Sequence, residues 1–290
     1  MTTKDRGAIL ITGASSGIGA TCAGRLTSLG FRVFAGVRRE QDYKELEQKQ
    51  NPLLIPVILD VTEKDSIAAA AERVTQAVGE EGLIGLVNNA GIGVAGPLEF
   101  LPVELFCQQI EVNVTGHLAV TQAFLPLIRK GHGRIVFISS VNGRSNFPLL
   151  GPYCASKHAL ESLADALRME LYPWKIAIAL IEPGSVATPI WQKSLESGEE
   201  MERHLPAQAH EFYGRAINRM KKIARNSGKN GMNPQEVAEA VIHALTSPRP
   251  KTRYLVGMEV KLQMALQMLP TALRDRIVTN ALYGKSRATK

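Results

Sequence analysis

Short apolar runs alternate with amphipathic stretches along most of the chain. Residues 8–12 (AILIT), 32–37 (RVFAGV), 53–59 (LLIPVIL), 83–87 (LIGLV), 134–138 (RIVFI), 176–181 (IAIALI) and 253–256 (RYLV) are short and rich in Val, Ile and Leu, as strands buried on both faces are. Between them, residues 18–29, 40–50, 66–78, 104–128, 153–171 and 234–246 repeat apolar side chains at helical spacing; Leu160, Leu163, Leu167 and Leu171 form one such stripe. Seven alternating units predict a single α/β domain on a doubly wound, seven-stranded parallel sheet. We find no linker, internal repeat or low-complexity segment.

Beyond Thr188 the rhythm loosens. Residues 189–231 read as mixed helical segments, placed after the sixth strand to lie over the carboxyl ends of the strands as a lid. Residues 262–282 mix Leu, Met and Ile with Arg274 and Arg276 at helical spacings. The expected organisation is one domain over residues 1–257, with the lid at 188–231, followed by a helical tail at 258–290.

The strand ends carry the chemistry. The first strand runs into Gly13-Ala14-Ser15-Ser16-Gly17-Ile18-Gly19 and then a helix. In that context glycines permit a tight turn and close approach of a phosphate to backbone N–H groups at a helix N-terminus. The second strand ends at Arg38-Arg39, about 20 residues past the glycines, where an acid suits the ribose of NAD and arginine suits a 2′-phosphate. NADP(H) is therefore favoured over NAD(H), although Glu40 is close by. Asp60 and Val61 end the third strand, where the acid either caps the next helix or meets a nucleotide base. Asn88-Asn89-Ala90-Gly91 ends the fourth, a polar turn whose side chains can bond backbone and brace the crevice.

Ser139-Ser140 ends the fifth strand, and a loop leads to Tyr153-Cys-Ala-Ser-Lys157. Residues four apart share a helix face, so the Lys157 ammonium can sit near the Tyr153 phenol and favour its ionised form. Of the six tyrosines, Tyr153 alone has Lys at this spacing. Asn113 falls mid-helix, where Asn is a poor helix former and normally faces solvent or a local bond.

Composition adds limits. Hydrophobic residues make up 45% and charged residues 21% of the 290, as in ordinary globular proteins. Cys22, Cys107 and Cys154 are odd in number and lack metal-ligand spacing, so we expect neither a disulfide framework nor a metal site. No signal-peptide pattern opens the chain and no apolar run reaches the ~20 residues of a membrane helix, which leads us to expect a cytoplasmic protein. Net charge is +7, concentrated in residues 215–229 and in the tail. That excess serves as solvated surface or as contact with anionic lipid; no nucleic-acid motif accompanies it.

Thr12-Gly-x-x-x-Gly-x-Gly19, Asn88-Asn-Ala-Gly91, Asn113, Ser140, Tyr153-x-x-x-Lys157 and Pro183-Gly184 occur in the order seen in the short-chain dehydrogenase/reductase family, which the chain resembles over residues 8–256. Stretches such as Tyr153-Cys-Ala-Ser-Lys157-His-Ala-Leu-Glu161 and Leu180-Ile-Glu-Pro-Gly184 resemble its 17β-hydroxysteroid and retinol dehydrogenase branch. The resemblance implies a Rossmann-type fold and an alcohol–carbonyl oxidoreductase; the alternatives are an NAD-dependent alcohol dehydrogenase of the same fold or a cofactor-binding sensor or scaffold without turnover, against which the complete set Asn113, Ser140, Tyr153 and Lys157 argues. It implies Tyr153 as general acid/base and Lys157 as the group that lowers its pKa and holds the nicotinamide ribose. Ser140 would bond the carbonyl and Asn113 would hold a water of the proton relay.

By the same resemblance Gly13, Ser15, Ser16, Gly17, Ile18 and Gly19 would hold the pyrophosphate, and Arg38, Arg39, Asp60 and Val61 the adenosine side. Asn89, Ala90, Gly91, Pro183, Gly184, Val186 and Thr188 would border the nicotinamide. Where the chain departs from the family pattern, Phe147, Leu149, Leu150, Ile190 and Trp191 read either as an apolar pocket or as plain core; as a pocket Asn142, Phe147, Leu150, Ile190 and Trp191, with Ser140 and Tyr153, would meet a small hydrophobic substrate such as a steroid or retinoid. A homodimer or homotetramer through residues 104–128 and 153–171 is also implied. For the tail three readings stay open: a helix closing the pocket, a partner contact, or a membrane-surface anchor.

Overall fold

The computed structural model describes residues 6–284. Residues 1–5 of the expected domain and 285–290 of the expected tail lie outside the described residues.

Seven strands form one parallel sheet: β1 (Ala8–Ile11), β2 (Arg32–Val37), β3 (Leu54–Ile58), β4 (Gly85–Asn88), β5 (Arg134–Ile138), β6 (Ala177–Pro183) and β7 (Arg253–Val256), in the order β3-β2-β1-β4-β5-β6-β7. The order reverses between β1 and β4, which pair in parallel through Ile9↔Gly85, Leu10↔Leu86 and Ile11↔Val87. Loops leaving neighbouring strands there part to opposite faces and open a crevice at the carboxyl ends.

Alternation along each strand builds a core on both faces. Ala8 and Leu10 of β1, Ile135 and Phe137 of β5, and Ile178 and Leu180 of β6 face one way. Ile9, Ile11, Val136, Ile138, Ala179 and Ile181 face the other. The first face packs on α3 (Lys64–Val78), α5 (Gly116–Lys130) and α6 (Gly151–Glu170); the second packs on α1 (Gly17–Ser28), α2 (Glu40–Glu47) and α9 (Pro234–Thr246). Burying a large apolar side chain such as Phe34, Phe124 or Phe137, each 0% exposed, contributes about 1.5–3 kcal/mol.

Two stretches differ from the sequence expectation. The helix expected at 104–128 comprises α4 (Val103–Ile110) and α5, joined by a widened π turn at Glu111–Thr115. The loosely patterned 189–231 forms two definite helices, α7 (Ile190–Arg203) and α8 (Ala207–Asn230). On α8 the buried Ala216, Ile217, Met220, Ala224 and Ser227 face inward, while Arg215, Arg219, Lys222, Arg225 and Lys229 are exposed. The tail folds into α10 (Met258–Gln267) and α11 (Thr271–Tyr283), and Leu282 of α11 is buried against Leu149, Ile217 and Met220.

Candidate active site

The glycine loop after β1 is held in shape from below. Gly13 and Gly17 have φ of +65° and +57°, which residues with a Cβ rarely adopt. The Asn89 side chain, arriving from the end of β4, donates to the carbonyls of Thr12 (2.9 Å) and Gly13 (3.0 Å). The Thr12 hydroxyl in turn accepts from the N–H groups of Asn89 and Ala90. Gly19 is packed behind this brace: a Cβ there would lie 2.3 Å from the Gly13 oxygen and 2.5 Å from Asn89 Nδ2. The expected bracing role of the Asn88-Asn89 turn is thus what the geometry presents.

A cleft of about 380 Å³ runs from this loop across the strand ends. Its walls include every residue expected at the cofactor except Gly19, which sits behind the loop, and they also include Asn113, Ser140, Tyr153 and Lys157. At the far end the two arginines differ. Arg39 makes a paired contact with Asp42 (Nε–Oδ2 2.9 Å, second nitrogen to Oδ1 2.7 Å), which holds the Asp42 carboxyl below its ordinary value. Arg38 has only a 3.9 Å contact with Asp60 and is 69% exposed. Asp60 also accepts from Thr62 N–H and hydroxyl, so it caps the turn that leads into α3. Lys193 of α7, which the sequence reading passed over, reaches the same end of the cleft.

A second cavity, about 270 Å³, lies on the other side of Ser140 and Tyr153 and is mostly apolar. The expected substrate residues Asn142, Phe147, Leu150, Ile190 and Trp191 all line it. Trp191 is fixed there by an indole N–H bond to the Val186 carbonyl (2.9 Å). Several lining residues went unforeseen: Met201 and Glu202 of α7, Leu205 in the turn that follows it, Ile217, Met220 and Lys221 of α8, and Glu259 and Gln263 of α10. The Glu202 carboxylate accepts from the Lys221 ammonium, tying α7 to α8. Gln263 donates to the Ser145 hydroxyl (2.7 Å), so α10 closes one side of the cavity. The helical spacing of 217, 220 and 224 was the available signal on α8; Gln263 had none.

Ser140 and Tyr153 line both spaces. Ser140 is buried, its oxygen accepts from Asn142 N–H (3.1 Å), and its hydroxyl bonds the Tyr153 phenol. Burial pushes that phenol up to about 12, with the Ser140 bond pulling the other way. The net lowering expected from Lys157 is not what the site shows: the Lys157 Nζ lies 5.8 Å from the centre of the Tyr153 ring and donates to the Ile138 carbonyl (2.8 Å), and burial sets the direction. Desolvation of the phenolate outweighs a cation at that range. Burial also draws Lys157 down to about 8, opposed by the charge of Glu161.

Asn113 does not face solvent; it is fully buried. Its amide oxygen accepts from Ile92 N–H (2.9 Å), and its nitrogen donates to Ile92 O and to Ser156 Oγ (both 3.1 Å). Ser156 bonds the Tyr153 carbonyl, so this side chain links the π turn to the start of α6. Next to it His117 Nε2 donates to the Ala90 carbonyl (2.6 Å), since a carbonyl only accepts, and burial draws the ring down to about 3.

A dinucleotide-shaped cleft and an apolar cavity meeting at a tyrosine define a nicotinamide-dependent oxidoreductase fold and site. The chain belongs to the short-chain dehydrogenase family, whose description, short chain dehydrogenase, matches residues 7–199. It is 39% identical over 281 residues to 17-beta-hydroxysteroid dehydrogenase type 6 of Bos taurus, covering 94% of this chain and 88% of that protein. It is 37% identical to retinol dehydrogenase 16 of Mus musculus (93% and 87% covered) and 34% identical to an NADPH-dependent 3-dehydrocapnine reductase of Ornithobacterium rhinotracheale (92% and 94%).

Among solved structures, a short chain dehydrogenase of Burkholderia cenocepacia in complex with NADP aligns with TM-score 0.71 at 25% identity, covering 96% of this chain and 99% of that one. One of Burkholderia phymatum in complex with NAD aligns with TM-score 0.77 at 25% identity (92% and 94%). The protein is an NAD(P)-dependent oxidoreductase acting on CH–OH groups. Among the described residues no helix is long and apolar enough to cross a membrane.

Proposed function

We propose that the protein interconverts an alcohol and its ketone or aldehyde on a hydrophobic, steroid-, retinoid- or lipid-like molecule, with NADP(H) as cofactor. One observation carries this reading: the hydrogen-bonded Ser140 and Tyr153 form the wall shared by the glycine-cradled cleft and the apolar cavity. The strained glycine loop, with Gly19 too close to its neighbours for any Cβ, fits a pyrophosphate drawn tightly against backbone. Bound there, the dinucleotide supplies or accepts the hydride.

The chain's own residues do the rest. Tyr153 Oη, held protonated at neutral pH by burial, delivers its proton to the substrate oxygen during carbonyl reduction and takes it back during oxidation. Ser140 donates to that oxygen as negative charge develops on it. Lys157 holds ribose hydroxyls and, once the phenol ionises, favours the phenolate. With the Asn113 side chain fully engaged, a relay water falls to its main-chain carbonyl in the π turn. Arg38 meets the 2′-phosphate, while Arg39 positions the start of α2 through Asp42.

An NAD-dependent alcohol dehydrogenase is the second reading, favoured by the engagement of Arg39 with Asp42. For the tail, the Gln263 contact favours pocket closure over partner or membrane contact. Assembly of copies would use the exposed Leu98, Val103 and Met169 beside α4 and α6. Turnover of NADPH or NADH with a panel of apolar ketones, aldehydes and alcohols tests the reaction in wild type and Tyr153→Phe. The variant is expected to lose about 10²-fold or more in kcat with cofactor affinity unchanged. Equal turnover in both would remove Tyr153 as the acid.

A further inference from the structure

Behind Lys157 lies a second buried polar cluster that the reaction itself does not touch. Glu182, at the end of β6, is 0% exposed, and strand alternation places it with Ile178 and Leu180 on the face covered by α6. Glu161 of α6, one turn past Lys157, is 6% exposed. Arg253 of β7 touches both: its Nε is 3.2 Å from Glu182 Oε1 and its terminal nitrogen 3.1 Å from Glu161 Oε2, with Asp165 at 2.7 Å. Arg144, in the turn after β5, is 3.6 Å from Glu182 Oε2.

Four buried oxygens here lack a well-aligned hydrogen bond: both of Glu182, which have only the ion-pair contacts of Arg253 and Arg144, together with Oε1 of Glu161 and Oγ of Ser139. Arg253 joins the two glutamates, and Gly143 packs against the Glu161 side: a Cβ there would lie 2.8 Å from Ser139 Oγ, 3.0 Å from Glu161 Cγ and 3.1 Å from the Lys157 carbonyl. Two buried carboxyl groups that share one arginine are costly while both are charged, and a single proton on the pair removes much of that cost.

We propose that Glu161 and Glu182 are positioning residues for the reaction proposed above, sharing one proton between their carboxyl groups, and that this proton sets the negative charge held behind the Lys157 ammonium. The surrounding charges are consistent with this. Arg253 and Arg144 face the pair, but Asp165 takes one arm of Arg253 and also pairs with Arg168 (3.0 Å), and α10 brings Glu259 against Gly184, two residues from Glu182. Burial, and then the Glu161 charge, push Glu182 up to about 7 against both arginines. Loss of the shared proton near neutrality therefore leaves Glu161, one helical turn past Lys157, with its full charge, favours the Lys157 ammonium, and through it the negative charge Tyr153 takes up in alcohol oxidation.

The inference rests on the proposed reaction for its kinetic consequence only, and its direct test needs no substrate. Difference infrared spectra of the full chain between pH ~6 and ~8 should show the C=O stretch of a protonated carboxyl disappear, and Glu182→Gln should abolish that change. Arg144→Gln removes a half-exposed cation facing the pair, so it should move the midpoint upward, and it serves if Glu182→Gln does not fold. In oxidation assays kcat/KM should rise through the same pH range in wild type and lose that limb in Glu182→Gln, with NADPH affinity unchanged. A wild type without the band, a band that persists in Glu182→Gln, an Arg144→Gln midpoint that stays put, or an unaltered pH limb would each overturn the proposal. Absence of turnover with every substrate would instead count against the proposed reaction and leave the band to be read.

Discussion

Replacing Gly19 by Ala and Gly24 by Ala puts the same methyl group at two positions on α1 with opposite expected outcomes. At Gly19 the new Cβ meets the Gly13 carbonyl oxygen at 2.3 Å and Asn89 Nδ2 at 2.5 Å. The first is backbone at φ +65° and cannot swing aside, so the Asn89 amide must leave. Its two bonds to Thr12 O and Gly13 O contribute about 1 kcal/mol each, and the residual overlap costs about 1–3 kcal/mol. We expect Gly19→Ala to lose about 3 kcal/mol or more in urea unfolding, and to bind NADPH at least tenfold more weakly, ~1.4 kcal/mol, by fluorescence titration. At Gly24 a Cβ meets nothing within 4 Å, and the position is exposed on the same helix. Gly24→Ala should gain about 0.5–1 kcal/mol from reduced chain entropy, with cofactor affinity unchanged. A Gly19→Ala protein that matches wild type within ~0.5 kcal/mol and holds NADPH as tightly would refute the packed brace.

Arg38→Gln is expected to weaken NADPH binding about tenfold, the scale of one exposed charge-assisted contact, and leave NADH binding as it was; equal losses for both cofactors would take Arg38 out of the 2′-phosphate site. Arg39→Gln, by contrast, should change the NADPH-to-NADH preference less than about threefold, because its guanidinium is already engaged by Asp42. His117 titrates near 6.5 when unfolded and is drawn down to about 3 in the fold, so between those values the unfolded chain binds the extra proton and stability falls as pH falls. His117→Gln should therefore show a shallower decline of urea midpoint from pH ~7 to ~4.5 than wild type, and an identical decline would remove His117 from the acid response.

The strand and glycine-loop positions were legible in the sequence because local patterns determine them. A run such as AILIT can only be buried on both sides, and the strand ends then collect Gly13, Asn89, Ser140 and Gly184 in one crevice without further information. Asn113 was legible as an oddity and not as a location: a turn widened over Glu111–Thr115 leaves the helical period nearly intact while rotating the side chain from solvent into the interior. Arg38 and Arg39 were indistinguishable by position, and what separates them is Asp42, three residues on, which selects the arginine on its own face. The cavity was least legible. Glu202, Lys221 and Gln263 join it only through contacts between helices far apart in sequence, and α7 and α8 carry enough charge on their outer faces to blur the apolar stripe.

The two spaces that meet at Tyr153 are made from different parts of the chain. The cleft is built largely from strand ends whose backbone is already committed to the sheet, whereas Met201, Leu205, Ile217 and Met220 sit on α7, α8 and the turn between them and line the apolar cavity alone. Exchanging those side chains alters the shape offered to a substrate without disturbing a ladder hydrogen bond or the Asn89 brace. The molecule is in this sense partitioned for evolutionary drift, with a conservative half that handles electrons and a permissive half that decides which molecule receives them.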